Sequence, residues 1–428
     1  MPETPPDPPS SGRDRSKRPP VSRRRFLAGS TAVGASVAAG CADGGAGSGG
    51  DDSRTPTATD EPTVFVFNTG DRTVSLVDPG TDELVDTYHL GVTSSFPANQ
   101  YAPRVVDDPG DAVWANVGRG VRALGAGALE ERARVETGSG VNWQELTPDG
   151  RRLVVSAREP AHTQFEVDAD PSSDGFGDVL ATIDRSDEGG RGDREGPGPC
   201  DVTVHPDGRY AYVPDLFGDA LTVLDVERFE VVERVPVDPV AGDAAEPWMA
   251  TADWAGERML VEHSEGATGT ESVWDLSDPA SPEELVRLTA EDGLGERPLT
   301  SEVTADGTRG FVFTPGTGDV TVVDLESQSL SGRIDLGGAA FTGTWGPSRE
   351  KLYVPVQTAN AVKVIDPESE SVTATVEVGA KPYGATAARV RPVPERSTTV
   401  AAALDALGAG DDDGTSYCVG NCACGHEL

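Results

Sequence analysis

A short strand pattern recurs along most of this chain and constrains its fold more than any other feature. An alternating apolar strand is followed, after a turn, by a second strand that often ends in aspartate. Six such second strands end at Asp78, Asp184, Asp225, Asp275, Asp324 and Asp366. From Asp184 onward, successive aspartates are 41 to 50 residues apart. Repeats of this length built from short strands predict an all-β propeller in which each repeat forms one blade.

Turn residues separate the first two strands in several repeats. The segments are Thr147–Gly150, His205–Gly208 and Thr304–Gly307. Proline presets φ for a turn, and glycine supplies the positive φ that some turns require. Each segment therefore predicts a chain reversal at the same point of its blade.

The number of repeats predicts about seven four-stranded blades, and six or eight are the alternatives. The repeat units contain strands that begin near Val64, Val113, Leu153, Tyr210, Met259, Phe311 and Leu352. The first unit lacks an inner strand, and a matching strand follows the last unit at Lys381–Ala387. We expect this C-terminal strand to complete the first blade, which removes an open sheet edge. The third unit carries an acidic, glycine-rich insertion over 168–198.

The last repeat contains Tyr353-Val354-Pro355 followed by Ala361–Asp366. This repeat resembles a unit of the YVTN-repeat family, and Lys381–Ala387 resembles the glycine-rich inner strand of such a unit. The resemblance implies a β-propeller. Related propellers include lactonases, haem d1-binding domains and the N-terminal domain of nitrous oxide reductase, so the resemblance selects no single activity.

The N-terminus resembles an export signal of the haloarchaeal lipoprotein type. Ser22–Leu27 is similar to the twin-arginine motif, in which Arg23, Arg24, Phe26 and Leu27 are the matching residues. The apolar run that follows is shorter than the roughly 20 residues of a spanning helix and is typical of a signal peptide. It ends at Cys41 in a segment similar to a lipobox, which implies a lipid on that cysteine. The alternative is a short N-terminal helix with an incidental cysteine.

The chain divides into four segments by composition. Residues 1–41 are the predicted signal region, and 42–61 form an acidic, glycine-rich stretch that is typical of a flexible tether. Residues 62–395 contain the predicted propeller, and 396–428 form a C-terminal tail. The resemblance of the signal region to an export signal with a lipobox implies a protein that is held by lipid at the outer face of the cytoplasmic membrane.

The net charge of -37 is typical of proteins from very salty surroundings. After the signal region only Lys351, Lys363 and Lys381 are lysines. At molar salt the Debye length is about 3 Å, so carboxylate repulsion is screened. An acidic surface in an ordinary organism is the alternative. In either case the charge excludes a nucleic-acid partner, which requires a basic surface.

Polar and aromatic residues at the starts of inner strands are candidates for a site in the central funnel. A lactonase-like site, as the resemblance implies, would draw on Arg104, Asp201 and Glu302. Aromatic residues at comparable positions could form a collar that stacks on a ligand, or could pack between blades. They are Trp143, Trp248, Trp345 and Tyr383.

The C-terminal tail concentrates potential metal ligands. Cys418, Cys422, Cys424 and His426 lie within nine residues. Thiolates with an imidazole suit Cu(I) or Zn²⁺. The spacing resembles the loop of a dinuclear copper A centre, although no cupredoxin domain precedes it. The alternative is one or two local disulfides in an oxidising exterior.

Two functions of different classes follow. The first is a non-catalytic binding or interaction module at the cell surface, with an unknown protein or small-molecule ligand. The second is a metal- or redox-linked surface protein that uses copper or zinc at the tail. A lactonase-like enzyme is a third.

Overall fold

Strands form nearly all the regular structure in the computed structural model of this protein, which describes residues 58–91 and 106–394. Blade 1 contains β2 (Thr63–Asn68), β3 (Thr73–Asp78), β4 (Glu83–His89) and β28 (Pro382–Ala388). Blade 2 contains β5 (Ala112–Val117), β6 (Gly120–Gly125) and β7 (Glu131–Glu136). Blade 3 contains β8 (Val141–Leu146), β9 (Arg152–Ala157), β10 (Thr163–Asp168) and β11 (Val179–Asp184).

Four further blades follow in chain order. Blade 4 contains β12 (Thr203–Val204), β13 (Tyr210–Asp215), β14 (Ala220–Asp225) and β15 (Glu230–Pro236). Blade 5 contains β16 (Pro247–Ala252), β17 (Arg258–His263), β18 (Thr270–Asp275) and β19 (Glu283–Leu288). Blade 6 contains β20 (Thr300–Val303), β21 (Arg309–Thr314), β22 (Asp319–Asp324) and β23 (Ser329–Asp335). Blade 7 contains β24 (Thr344–Trp345), β25 (Leu352–Val356), β26 (Ala361–Asp366) and β27 (Ser371–Glu377).

The chain is an all-β propeller of seven blades, as the repeat predicts. Each blade is an antiparallel sheet, and blade 2 has three strands within the described residues. The C-terminal strand β28 pairs with β2 in blade 1, with Val64 opposite Ala387 and Val66 opposite Ala385. The predicted completion of the first blade from the far end of the chain is therefore confirmed.

Counted from the innermost strand, the strand that ends in the recurrent aspartate is the third of its blade in most blades. This aspartate has a local structural role. The Oδ1 of Asp78 accepts the backbone N–H of Gly80 at 2.8 Å, and Asp324 accepts that of Ser327 at 2.7 Å. A side chain that bonds the backbone two or three residues ahead forms an Asx-type turn. The recurrent aspartate therefore starts the turn to the outermost strand.

Blade 3 departs from the predicted strand assignment. The segment that ends at Asp184 is the outermost strand β11, whereas the third strand is β10, which ends at Asp168. Two polar side chains of β10, Gln164 and Glu166, are buried, so this strand lacks the apolar alternation of its counterparts. The predicted insertion over 168–198 therefore contains the outermost strand of its blade.

Every blade has a β-bulge between its third and outermost strands. The extra residue on the outermost strand is Val85, Arg132, Leu180, Val232, Leu285, Ser331 or Thr373. In blades 6 and 7, Ser331 and Thr373 donate to carbonyls of the third strand at 3.3 Å. A bulge twists an edge strand and disrupts its regular ladder, which discourages pairing with another chain.

A short strand pair lies beside blade 1. β1 (Ala58–Thr59) pairs with β29 (Arg391–Pro392), so paired structure begins inside the stretch that we interpret as a tether. Three 3₁₀ turns, Ser186–Glu188, Ala290–Asp292 and Gln357–Ala359, complete the elements. Within the described ranges, no helix has the length and apolar character needed to span a bilayer.

Candidate functional site

Side chains of the innermost strands connect neighbouring blades around the axis. Asp201 accepts the backbone N–H of Ala250 in blade 5 at 2.7 Å, and Glu145 accepts that of Val204 in blade 4 at 2.8 Å. Thr251 donates its hydroxyl to the Ser301 carbonyl of blade 6 at 3.0 Å. These bonds satisfy backbone groups that the short inner strands leave unpaired. The predicted funnel residue Asp201 therefore holds blades 4 and 5 together.

A small cavity lies among these strands. Trp143, Glu145, Asp201, Ser301 and Glu302 are among its lining residues. Its volume for water centres is about 20 Å³, which is room for about one water molecule. Trp143 and Glu302 are partly exposed, whereas Glu145 and Asp201 are buried. The predicted pair Asp201 and Glu302 thus shares one cavity, to which Glu145 adds a carboxyl group that the sequence did not single out.

Burial controls the charge of the axial carboxyl groups. It raises the pKa of Asp201 to about 8, although the N–H groups of Ala250 and Val202 act in the opposite direction. Burial also raises the pKa values of Glu145 and Glu302 well above their ordinary range. A neutral carboxyl group can donate a hydrogen bond and can act as a general acid. The axis therefore offers neutral acids at neutral pH.

Several of the predicted aromatic side chains pack in one buried cluster. Trp248 and Tyr383 are buried in a cluster with Phe341, and the rings of Phe341 and Tyr383 are stacked with centroids 4.7 Å apart. The indole of Trp248 donates to the Pro298 carbonyl at 3.1 Å. These rings pack against one another, which is the alternative to a ligand-stacking collar. Trp345 lies in a separate cluster against Phe311.

Several predicted site residues lie outside the described residues. These are Arg104 of the funnel, the export residues Arg23, Arg24, Phe26 and Leu27, the lipidation residue Cys41, and the tail residues Cys418, Cys422, Cys424 and His426. Within the described part of the chain, no three histidine, cysteine or acidic side chains are arranged to hold a metal ion.

Long connections between blades lie on one face of the propeller, which we call the loop face. It is built by residues 185–198, 237–246 and 289–299, which each link an outermost strand to the next innermost strand. Consecutive antiparallel strands place these connections on the face where each second strand ends. The opposite face carries the short turns, such as Thr147–Gly150.

A buried ion pair fixes the first of these connections. Arg185 donates to both carboxylate oxygens of Asp215, at 2.9 and 2.6 Å, and both side chains are fully buried. Burial acts to lower the pKa of Arg185, but Asp215 and Glu188 raise it. The guanidinium also contacts Thr222 at 2.8 Å. The insertion of blade 3 is thereby attached to blade 4.

A single carboxylate fixes the second connection. Glu265 is fully buried and accepts the N–H groups of Ala241 and Gly242 at 2.6 and 3.1 Å, and also that of Val240. Arg287 neutralises it at 2.9 Å. Neither Glu265 nor Arg185 belongs to a recognisable motif, and their partners are distant along the chain, so sequence reasoning missed both.

The described histidines inside the propeller are hydrogen-bonded. His263 is buried, and its ring nitrogens lie 3.1 Å from the Ala245 carbonyl and 2.7 Å from the Ser272 hydroxyl. Burial lowers its pKa well below the ordinary value, so the ring is neutral. His205 lies 3.1 Å from the Gly256 carbonyl. These two rings therefore contribute to packing around the blades.

Comparison with known proteins finds similarity of fold only. No family model matches the sequence, and no curated protein matches it. Among solved structures, a periplasmic gluconolactonase from Pseudomonas aeruginosa is 18% identical, with a TM-score of 0.59, over 76% of this chain and 99% of that chain.

Two further structures are similar to the same extent. A putative 6-phosphogluconolactonase from Bacteroides fragilis is 16% identical, with a TM-score of 0.59, over 79% of this chain and 99% of that one. A protein from Lactobacillus plantarum is 13% identical, with a TM-score of 0.61, over 76% and 99% of the two chains. By fold, the chain is a seven-bladed β-propeller similar to lactonase-like proteins.

Proposed function

We propose that this protein is an exported, lipid-anchored propeller that binds a partner through its loop face without catalysing a reaction. The observation that supports this most is the anchoring of neighbouring long connections by buried charged groups. Arg185 with Asp215 fixes 185–198, and Glu265 fixes 237–246. Recognition loops held rigidly on a scaffold lose little entropy on binding.

Contacts between the connections extend this preorganisation. Arg191 of the first connection binds Asp219 at 2.9 Å and also pairs with Glu246 of the second. The backbone N–H of Arg297 in the third connection donates to Thr268 at 2.6 Å. The first two connections are therefore held to each other, and the third is held to the loop between β17 and β18 of blade 5.

Photo-crosslinking in intact cells tests this proposal. A photoreactive residue at Asp193, which is exposed on the first connection, should form an adduct with the partner. The same photoreactive residue at Glu368, which is exposed in a short turn on the face opposite the loop face, is the matched control and should form none. Adducts from Glu368 alone, or from neither position, would contradict binding through the loop face.

Export and anchoring rest on the motif in 1–41. Replacing Arg23 and Arg24 by lysine should leave the protein in the cytoplasm, because these two arginines are the residues on which the similarity to the twin-arginine export motif rests. Cys41→Ser should release the exported protein from the membrane fraction. A Cys41→Ser protein that stays with the membrane in high-salt and carbonate washes would contradict the lipid anchor.

A lactonase-like hydrolase is a second candidate, and the axial cavity is the observation that favours it. Glu145, Asp201 and Glu302 surround the cavity with groups of raised pKa, which suits acid–base catalysis of water addition to a lactone carbonyl. Hydrolysis of gluconolactone by the purified full chain, and its loss in Glu302→Gln, would establish this function. A rate equal to the uncatalysed rate would exclude it for that substrate.

The C-terminal tail supports a separate metal- or redox-linked role. Metal analysis of protein from its own host, compared with Cys422→Ser, tests whether copper or zinc is bound. Stoichiometric metal that the variant loses would establish the site. Disulfides among the tail cysteines in mass spectra, with no bound metal, would support the disulfide alternative instead of the metal site.

A further inference from the structure

Two glutamates face each other inside blade 5. Glu262 on β17 and Glu271 on β18 are cross-strand partners, and Cβ atoms of such partners lie roughly 4.5–5.5 Å apart. Both side chains are 0% exposed. Their four carboxyl oxygens have no hydrogen-bond partner among the described residues. A buried ionised carboxylate without a partner is strongly disfavoured, so the charge must be removed or compensated.

The glutamate pair lies in the seam between blades 5 and 6. Alternate residues of a strand share a face, so Glu262 points the same way as Leu260, and Glu271 the same way as Val273. Leu260 and Val273 pack in one apolar cluster with Val312 of blade 6. The pair therefore lies on the face of blade 5 that packs against blade 6.

Apart from the effect of Glu262 on Glu271, one carboxyl group and one cation in the described part of the chain act on the pair. Asp201 from β12 disfavours the ionised form of Glu262, and Arg287 from β19 favours that of Glu271. Arg287 already binds Glu265 at 2.9 Å and Glu284 at 2.8 Å. Its charge is therefore shared among carboxylates that it contacts directly.

Other titratable groups on the packed strands have neighbours of their own. Arg258 on β17 pairs with Asp275 on β18 at 3.1 Å, and Arg309 on β21 pairs with Glu370 of blade 7 at 3.3 Å. His263 on β17 is bonded to Ala245 and Ser272. Asp319 on β22 pairs with Arg333 of its own blade. Glu302 on β20 belongs to the axial cavity.

We propose that Glu262 and Glu271 form a proton-binding site, in which a carboxyl group of one donates a hydrogen bond to the other, and that proton loss loosens the seam between blades 5 and 6. Two opposed carboxyl groups that share a proton satisfy each other, as in aspartic dyads. After deprotonation, two like charges face each other in a site that water does not solvate. The seam is therefore a pH-sensitive opening point of the ring.

The axial cavity lies close to this pair. Ser301 lines the cavity and lies near Glu262, but outside hydrogen-bond geometry. A water in the cavity would be adjacent to this hydroxyl and to Asp201.

The direction of the pH effect follows from the shifted pKa values. Burial raises the pKa of Glu262 from 4.5 to about 8, and raises that of Glu271 well above its ordinary value. The folded state therefore binds these protons more tightly than the unfolded state. Stability that is fully present below pH 4.5 is lost as the pH rises towards about 8. Each such proton changes the folding equilibrium about tenfold per pH unit in this window.

Thermal unfolding of the purified full chain against pH, in molar KCl, tests the proposal. Glu262→Gln keeps the shape and supplies an amide donor to Glu271, so the variant should lack part of the pH dependence. The difference in Tm between variant and wild type should grow in favour of the variant from about pH 5 to about pH 8. Glu326→Gln, on an exposed turn, is the control and should follow the wild type.

Two results would overturn the proposal. The first is a Tm difference between Glu262→Gln and wild type that stays constant with pH. The second is stabilisation of the wild type by Ca²⁺ at fixed pH that EGTA reverses and Glu262→Gln abolishes, which would assign the pair to a metal ion. If Glu262→Gln does not fold, Glu271→Gln serves as the second variant with the same expectations.

Discussion

Buried charge is arranged in two opposite ways within neighbouring blades. Arg185 and Asp215 form a two-point ion pair, and the surrounding Thr222 and Glu188 complete its hydrogen bonds. Glu262 and Glu271 have no cation in contact among the residues that the structure describes. The first arrangement holds charge in the interior because every polar atom is compensated, whereas the second requires protons.

Loss of the Arg185 side chain should be severely destabilising. Arg185→Ala leaves the Asp215 carboxylate buried without its partner, which costs about 3–5 kcal/mol in comparable cases. Chemical denaturation of the purified protein measures the change in the free energy of unfolding. Arg191→Ala is the matched control, since the Arg191 side chain is 37% exposed and such pairs contribute about 1 kcal/mol or less. Equal losses in the two variants would refute the central role of the buried pair.

A short hydrogen-bonded unit recurs at the same place in several blades. The last residue of the second strand contacts a hydroxyl of the third strand in Asn68–Ser75 at 2.9 Å, Asp215–Thr222 at 2.6 Å and His263–Ser272 at 2.7 Å. Three different side chains thus perform one role, because a hydroxyl can donate or accept. The hydrogen bond between the second and third strands therefore recurs in these three blades, whereas the residue at the end of the second strand differs.

Strand β28 decides whether the ring closes. A chain that ends at residue 380 lacks this strand and leaves β2, with its buried Val64 and Val66, as an unpaired edge. We expect this chain to aggregate, because an exposed apolar edge templates pairing. A chain that ends at residue 395 keeps β28 and should fold normally. Size-exclusion chromatography and soluble yield compare them, and a soluble, cooperatively unfolding chain ending at 380 would contradict closure by β28.

The net charge of -37 acts on the molecule as a whole. Ion pairs offset part of it, and the excess carboxylates repel one another at low ionic strength. Compactness of the ring therefore depends on screening by salt, whose Debye length falls from about 10 Å at 0.1 M to about 3 Å at 1 M.

Stability should rise steeply with salt. We expect Tm to increase by more than about 5 °C between roughly 0.1 and 2 M KCl, since screening lowers repulsion mainly in the folded state. Differential scanning calorimetry measures the change, and sucrose, which favours burial without screening charge, is the control. A Tm that is independent of KCl would show that repulsion is negligible.

The sequence alone determined the architecture of this protein. Turn residues, strand alternation and the terminal aspartates are local signals that repeat, so they specify the blades and the closure by β28. The misassigned strand in blade 3 shows the limit, because polar residues such as Gln164 and Glu166 are buried there by their neighbours. Local patterns cannot report such burial.

Tertiary structure decided the chemistry of the interior. Asp201 and Glu302 were predicted from strand position. Only the assembled ring shows that Asp201 accepts a hydrogen bond from blade 5 and that Glu145 lines the same cavity as these two residues. In the sequence, Glu262 and Glu271 look like ordinary exposed polar residues. Their complete burial is visible only in the folded ring. The physical reason is that pKa, burial and pairing depend on groups brought together from distant parts of the chain. Such neighbours exist only after the ring has closed.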